Sequence, residues 1–275
     1  MLVAAGALVV TASPAVAAVP GHELVNADSA TNSDGWKTIT ASCPVGKVLI
    51  GTGHRISGAS GEAVVDDVRP NGNPTTAPNA VTVEAYETDG FAGNWTLHAE
   101  AICANVAGAV QVSAAAPTNS DDFHGTPAAT CPAGKTLTGT GYEMVGALGE
   151  AIVDDLRPNG NPTTAPTSVT VGAYEAEPIA GNWSLTAYGI CTNPLPGLVR
   201  LAAAGSDEDF VSQASTFCPS GVVTTGGGFE INGALGEALV DDLNPSIGTN
   251  RVTAYEEDPI AGSWTVTAYG ICATA

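Results

Sequence analysis

Apolar and polar residues alternate with a period of two along most of the chain. In Val169-Thr170-Val171-Gly172-Ala173-Tyr174-Glu175 the apolar set is 169, 171 and 173. In Trp183-Ser184-Leu185-Thr186-Ala187 it is 183, 185 and 187, with Gly189 and Cys191 in phase. This is the signature of strands with one face buried. The same phase recurs in Trp95-Thr96-Leu97-His98-Ala99 and in Trp264-Thr265-Val266-Thr267-Ala268, so the tryptophan and the following cysteine share a face. Across one stretch the pattern predicts strands at 109–114, 127–131, 136–144, 150–156, 168–175 and 183–191. Turn residues such as Pro132-Ala133-Gly134 and Asn159-Gly160-Asn161-Pro162 separate them. No helical period stands out beyond the first residues.

The pattern is written three times. Cys43-Pro44-Val45-Gly46, Cys131-Pro132-Ala133-Gly134 and Cys218-Pro219-Ser220-Gly221 open equivalent stretches that Cys103, Cys191 and Cys272 close. Repeats of this kind reduce the chain to one unit to be explained. The units are 19–107, 108–194 and 195–275, preceded by 1–18. The expected fold is all-β: three tandem antiparallel sandwich-like or prism-like repeats packed as a pseudo-threefold body. The linkers are short and partly apolar, as in Pro194-Leu195-Pro196-Gly197-Leu198-Val199, and read as strands rather than spacers.

Residues 1–18 combine an apolar run, Leu2 to Val10, with the small-residue pattern Ala15-Val16-Ala17. That is the form of a secretory signal peptide, and it is too short to span a bilayer. The basic n-region is missing, which points to a start upstream of Met1. The expected location is extracellular, with no membrane span. Six cysteines, two per repeat, then read as a disulfide framework. One pairing respects the repeat: Cys43–Cys103, Cys131–Cys191 and Cys218–Cys272. Each would close a loop worth roughly 3–4 kcal/mol in chain entropy. Zinc is disfavoured, because the cysteines of a unit are far apart and no histidine repeats with them.

The net charge is −20, and no basic patch interrupts it. Nucleic acid and anionic membrane surfaces are therefore poor partners, and neither is expected.

Cys-Pro-x-Gly-Lys, then Gly-x-Gly, then Trp-x-(Val/Leu)-x-Ala-Tyr-Gly-Ile-Cys resembles a repeat found in secreted proteins of actinobacteria. The first unit departs from it, with Ala99-Glu100-Ala101-Ile102-Cys103 in its last strand. The resemblance covers nearly all of the chain after residue 18 and implies no activity.

Three repeated polar features are the candidates for chemistry. The first is Gly61-Glu62-Ala63-Val64-Val65-Asp66-Asp67, repeated with Asp154-Asp155 and Asp241-Asp242. As a glycosidase pair it would place one active site three times in one chain. As a calcium site, Asp67 would join Asn71 and Asn73, and Asp155 would join Asn159 and Asn161, as hard oxygen ligands. The third unit lacks the corresponding asparagine loop. The simplest reading is a strand whose acids cap turn amides and face water. The second feature is Tyr86-Glu87, Tyr174-Glu175 and Tyr255-Glu256, with each tyrosine out of phase with the apolar face. Such a ring could stack on a sugar or pack between repeats. The third is Gly51-Thr52-Gly53, Gly139-Thr140-Gly141 and Gly226-Gly227-Gly228. Phosphate cradling would need a following helix, so these glycines are expected to allow a bulge or close backbone approach.

The four histidines occupy unrelated positions, and His54 falls in an aromatic slot shared with Tyr142 and Phe229. No serine lies in a nucleophile motif with a histidine partner. No cofactor motif is present beyond the calcium candidate. The expected function is therefore non-catalytic binding outside the cell, multivalent for carbohydrate or a cell-envelope surface through the tyrosines and aspartate pairs. The alternatives are a structural component of an extracellular coat, or a partner or inhibitor of another secreted protein.

Overall fold

In the computed structural model, residues 19–88, 90–206, 210–257 and 259–274 are described, and the segment 1–18, expected from the sequence to be a signal peptide, lies outside them. The first unit supplies β1 (Glu23–Asp28), β2 (Trp36–Ser42), β3 (Val48–Ser57), β4 (Ala63–Pro70), β5 (Ala80–Glu87) and β6 (Thr96–Ala104). The second supplies β7 (Val110–Ala115), β8 (Phe123–Gly125), β9 (Ala129–Thr130), β10 (Thr136–Val145), β11 (Ala151–Pro158), β12 (Ser168–Glu175) and β13 (Ser184–Thr192). The third supplies β14 (Val199–Ala204), β15 (Val211–Phe217), β16 (Val222–Asn232), β17 (Ala238–Ser246), β18 (Thr249–Glu256) and β19 (Thr265–Thr274). Among the described residues there is no helix. The short β8 is an addition to what the alternation indicates.

The units do not keep their sheets to themselves. Sheet I runs β1-β6-β3-β17-β18-β15, sheet II β2-β5-β4-β10-β13-β7, and sheet III β14-β19-β16-β11-β12-β8, with β9 also on β12. Each unit contributes half of two sheets, and each sheet joins halves of two units. The seams are cyclic: β4 pairs with β10, β11 with β16, and β17 with β3. The third seam returns to the first unit, so the three repeats close into a prism rather than a string of beads.

The disulfides follow the repeat and tie the two half-sheets of each unit together. They are Cys43–Cys103, Cys131–Cys191 and Cys218–Cys272, with Cα–Cα distances of 5.6, 5.7 and 5.8 Å. The first cysteine follows β2, β9 or β15, and the second lies in β6, β13 or β19 of the facing sheet. Between the layers sit Trp95, Trp183 and Trp264, all fully buried.

The Gly-x-Gly segments build the centre. A Cβ on Gly51 would lie 1.9 Å from the Thr225 carbonyl oxygen; one on Gly139 would lie 2.6 Å from the Gly51 Cα; one on Gly226 would lie 2.8 Å from the Gly139 Cα. The three backbones meet where no side chain fits. Each strand also bulges here, between Leu49 and Gly51, Leu137 and Gly139, and Thr224 and Gly226. The second glycine of each segment faces the neighbouring unit's strand. A Cβ on Gly141 would lie 2.3 Å from the Val68 carbonyl oxygen, and one on Gly228 2.0 Å from that of Leu156. Threonine hydroxyls bridge the units at this level: Thr52 Oγ1 donates to the Thr140 carbonyl and Thr140 Oγ1 to that of Gly227, each at 2.6 Å. At another level of the axis, Val64, Ile152 and Leu239 form a small apolar plug.

Candidate functional site

The repeated acidic motif turns out to join the units head to tail. Asp66, Asp154 and Asp241 are the bulged residues of β4, β11 and β17, where the register to β5, β12 and β18 slips by one. The bulge turns each carboxyl into the seam, where it accepts a backbone N–H from the next unit's loop. Gly149 donates to Asp66 at 3.4 Å, Gly236 to Asp154 at 3.1 Å, and Gly61 to Asp241 at 3.3 Å. Those glycines open the same motif in the following unit, so the motif binds a copy of itself around the ring. All three have positive φ, 76°, 89° and 74° for Gly61, Gly149 and Gly236, which strains any other residue.

These carboxyls cap turn amides, but they do not face water: Asp66, Asp154 and Asp241 are 1–3% exposed. Burial pushes Asp66 up to about 8, with the charge of Asp67 adding to it. Burial likewise raises Asp154 to about 8 and lifts Asp241 well above the carboxylate range. The second aspartates lie in the same seams. Asp67 accepts the Met144 N–H at 3.0 Å and faces Arg69 at 3.4 Å, while Asp242 faces Arg251 at 3.4 Å. Burial raises Asp67 to about 7 and Asp155 to about 6.

The asparagines of the calcium candidate serve their own loops. Asn71 Oδ1 accepts N–H groups of Asn79 and Ala80 at 2.8 and 3.0 Å, and Asn73 Oδ1 accepts those of Thr75 and Thr76 at 2.9 and 2.8 Å. Asn159 Oδ1 takes Thr167 and Ser168 at 2.6 and 3.0 Å, and Asn161 Oδ1 takes Thr163 at 2.8 Å. In the third unit the loop shrinks to a tight hairpin between β17 and β18, with Gly248 at φ 79°.

The Tyr-Glu pair divides its work. The glutamate accepts the indole N–H of the buried tryptophan eight residues on: Trp95 to Glu87 at 2.8 Å, Trp183 to Glu175 at 3.0 Å, Trp264 to Glu256 at 2.9 Å. The shared spacing of Glu and Trp was the available signal for this pairing. The tyrosine lies against the next unit's loop glycine; a Cβ on Gly149 would sit 2.7 Å from Tyr86 Cβ, and one on Gly236 3.0 Å from Tyr174 Cβ. Beside it stands a second ring that the repeated motifs do not mark. Trp36 is 6.5 Å from Tyr86, Phe123 4.5 Å from Tyr174, and Phe210 5.7 Å from Tyr255, between ring centroids. Trp36, Phe123 and Phe210 are 48%, 46% and 55% exposed. Register places them together: Trp36 is opposite Tyr86 across β2–β5, and Phe123 is opposite Tyr174 across β8–β12. Three aromatic pairs, each an exposed ring beside a half-buried tyrosine, thus stand around the ring, while Asp66, Asp154 and Asp241 lie buried in the seams.

The Tyr-flanking loops carry acids. Asp122, Glu175, Ala176, Glu177 and Pro178 line one depression next to Phe123, and Ser29, Asn32, Asp34, Trp36 and Lys37 line another around Trp36.

No family model matches the chain, and no curated protein does. Among solved structures, the major capsid protein P2 of bacteriophage PM2 aligns at a TM-score of 0.25 and 9% identity, over 62% of this chain and 97% of that one. The translation elongation factor SelB of Methanococcus maripaludis aligns at 0.14 and 9%, over 94% of this chain and 64% of that one. Similarity at that level is too slight to assign either fold, so the closed three-sheet arrangement stands on its own strand pairing.

Proposed function

We propose that the protein is a secreted, multivalent binder of neutral carbohydrate, presented as extracellular polysaccharide or cell-envelope material. The observation that carries this reading is the threefold set of aromatic pairs, Trp36–Tyr86, Phe123–Tyr174 and Phe210–Tyr255, in each of which an exposed ring stands beside a half-buried tyrosine. Large rings left half in water cost solvation free energy unless something covers them. An aromatic face suits the apolar face of a pyranose, and the neighbouring Asp34, Asp122 and Glu177 offer acceptors for its hydroxyls. Three weak sites fixed on one rigid ring gain avidity on a repeating polymer. The net charge of −20 turns the choice away from polyanionic polymers. The capping role of Asp66, Asp154 and Asp241 leaves the tyrosines and their partner rings as the binding residues.

The test is a pull-down of the oxidised protein on insoluble polysaccharides and cell-wall material, with and without a calcium chelator. Saturable retention is expected. The combined variant Trp36→Ala, Phe123→Ala, Phe210→Ala should lose at least about 10-fold in apparent affinity with only a modest fall in Tm, because about half of each replaced ring faces solvent. Equal retention of that variant would refute the aromatic sites. No retention on any surface, together with concentration-dependent self-association, would move the assignment to a coat or assembly component.

A further inference from the structure

The outer face of sheet I breaks the threefold pattern at four positions at once. Strand register sets Asp28 opposite His98 and His98 opposite Arg55, so three side chains stand in one row across β1, β6 and β3. Ser57 lies two residues beyond Arg55 on the same face. The equivalent row is Ala115, Thr186 and Glu143 in the second unit, and Ala204, Thr267 and Glu230 in the third. The positions equivalent to Ser57 are Val145 and Asn232. Two copies of the fold do without Asp, His, Arg and Ser here, so the scaffold does not require them.

The four side chains form one hydrogen-bonded chain. His98 Nδ1 lies 2.7 Å from Asp28 Oδ1, His98 Nε2 lies 3.0 Å from Ser57 Oγ, and Arg55 Nη1 lies 2.7 Å from Ser57 Oγ. For a neutral His98 imidazole, the chemistry of the ends fixes the protons between them. A guanidinium only donates and a carboxylate only accepts. Arg55 therefore donates to Ser57 Oγ, the Ser57 hydroxyl donates to His98 Nε2, and His98 Nδ1–H donates to Asp28. That is the tautomer in which an imidazole can take a proton from a serine. Such a constellation is recognised by geometry and roles, not by order in the chain. Its parts lie far apart in sequence, which is why no nucleophile motif announces it.

We propose that Ser57 is the nucleophile of an acyl-transfer site, with His98 as general base, Asp28 as its orienting carboxylate and Arg55 as the electrostatic partner of the developing oxyanion. Asp28 is exposed and Arg55 and Ser57 are half-buried while His98 is only 8% exposed, so the fitting substrates are small acyl esters. Ser57 Oγ adds to the ester carbonyl carbon while its proton passes to His98 Nε2, and the carbonyl oxygen becomes an oxyanion beside the Arg55 guanidinium. Collapse breaks the ester C–O bond, and the leaving alkoxide takes the proton from His98. Water then adds to the acyl-Ser57, giving its proton to His98, and the acid leaves as Ser57 Oγ recovers that proton. Ester and water become alcohol and acid, with no further reactant. General-base assistance of this kind is worth about 10²–10⁴ in rate.

The test uses the full oxidised chain and p-nitrophenyl acetate, with the acylated residue located by peptide mass spectrometry. Acetylation is expected at Ser57, with the burst of p-nitrophenol lost in Ser57→Ala and reduced at least about 10-fold in His98→Thr. His98→Thr and Asp28→Ala carry residues from equivalent positions of the other units, so Tm should stay near that of the parent. Absence of acetylation at Ser57 would overturn the proposal, as would the same rate in His98→Thr. The substrate is a soluble ester, so this outcome is independent of retention on polysaccharide.

Discussion

A carboxyl that is neutral when folded and charged when unfolded makes stability depend on pH. Asp154 sits at about 8 in the folded chain because of its burial, against an ordinary value near 4. Between those two values the folded state holds a proton that the unfolded state has released. Its contribution is thus fully present below about pH 4, falls as pH rises, and is gone above about pH 8. Asp66, pushed up to about 8 by burial, acts in the same sense. Thermal unfolding should accordingly show Tm falling from pH 5 to pH 8 by more than surface carboxylates explain. Asp154→Asn keeps an acceptor for the Gly236 N–H, bonded at 3.1 Å, and removes the titration. It should raise stability at pH 8 by on the order of 1–3 kcal/mol more than it does at pH 5. A variant whose pH slope matches the parent would show that Asp154 is ionised in the folded protein. The sequence displayed this residue three times, and its amide-capping chemistry was legible. Its burial was not, because the bulge that turns it inward depends on pairing with β12, and its partner lies 82 residues away.

At the scale of the strand, alternation carried most of the information. It placed β12 at its observed limits, Ser168–Glu175, and β10, β11 and β13 within two residues of theirs. It did not supply β8, whose three residues Phe123-His124-Gly125 are too few for a period to show. Glycines inside β10 carried the second kind of information, a demand for space, without naming what fills it. The occupant is backbone from the neighbouring units. A Cβ on Gly139 would sit 2.5 Å from the Ile50 carbonyl oxygen and 2.6 Å from the Gly51 Cα, neither of which can rotate away. Gly139→Ala should cost about 3 kcal/mol or more and reduce the soluble yield, whereas Gly181→Ala, with nothing within 4 Å, should change Tm little. Chemical denaturation of the pair checks this. A Gly139→Ala protein as stable as Gly181→Ala would mean that the three units do not touch at the axis.

The whole molecule depends on three seams that are alike in backbone and different in charge. Between the first and second units, Arg69 pairs with Glu143. Between the second and third, Arg157 meets Glu230 at 3.2 Å. Where the third unit returns to the first, the glutamate position is Arg55, and the arginine position is Asn244. The charge is inverted there, with Asp242 opposite Arg55 and Glu100 nearby, raised to about 7 by burial against the pull of Arg55. Three similar repeats could close in more than one order, and like-charge contacts at a seam select against the wrong ones. The consequence can be read from single units. An excised second unit, 108–194, would offer Arg157 on one edge and Glu143 on the other, so copies of it meet with opposite charges. An excised first unit, 19–107, would bring Arg69 against Arg55. Either fragment alone leaves the seam edges of two half-sheets unpaired and the apolar residue of the axial plug, Ile152 or Val64, uncovered. Under oxidising conditions the second unit should therefore sediment as a trimer at micromolar concentration, and the first should not, unless Arg55→Glu restores the pairing. Sedimentation velocity on the three proteins decides it. A second unit that is monomeric and folded would show that each repeat is a self-sufficient domain, and that the seams contribute little to the fold.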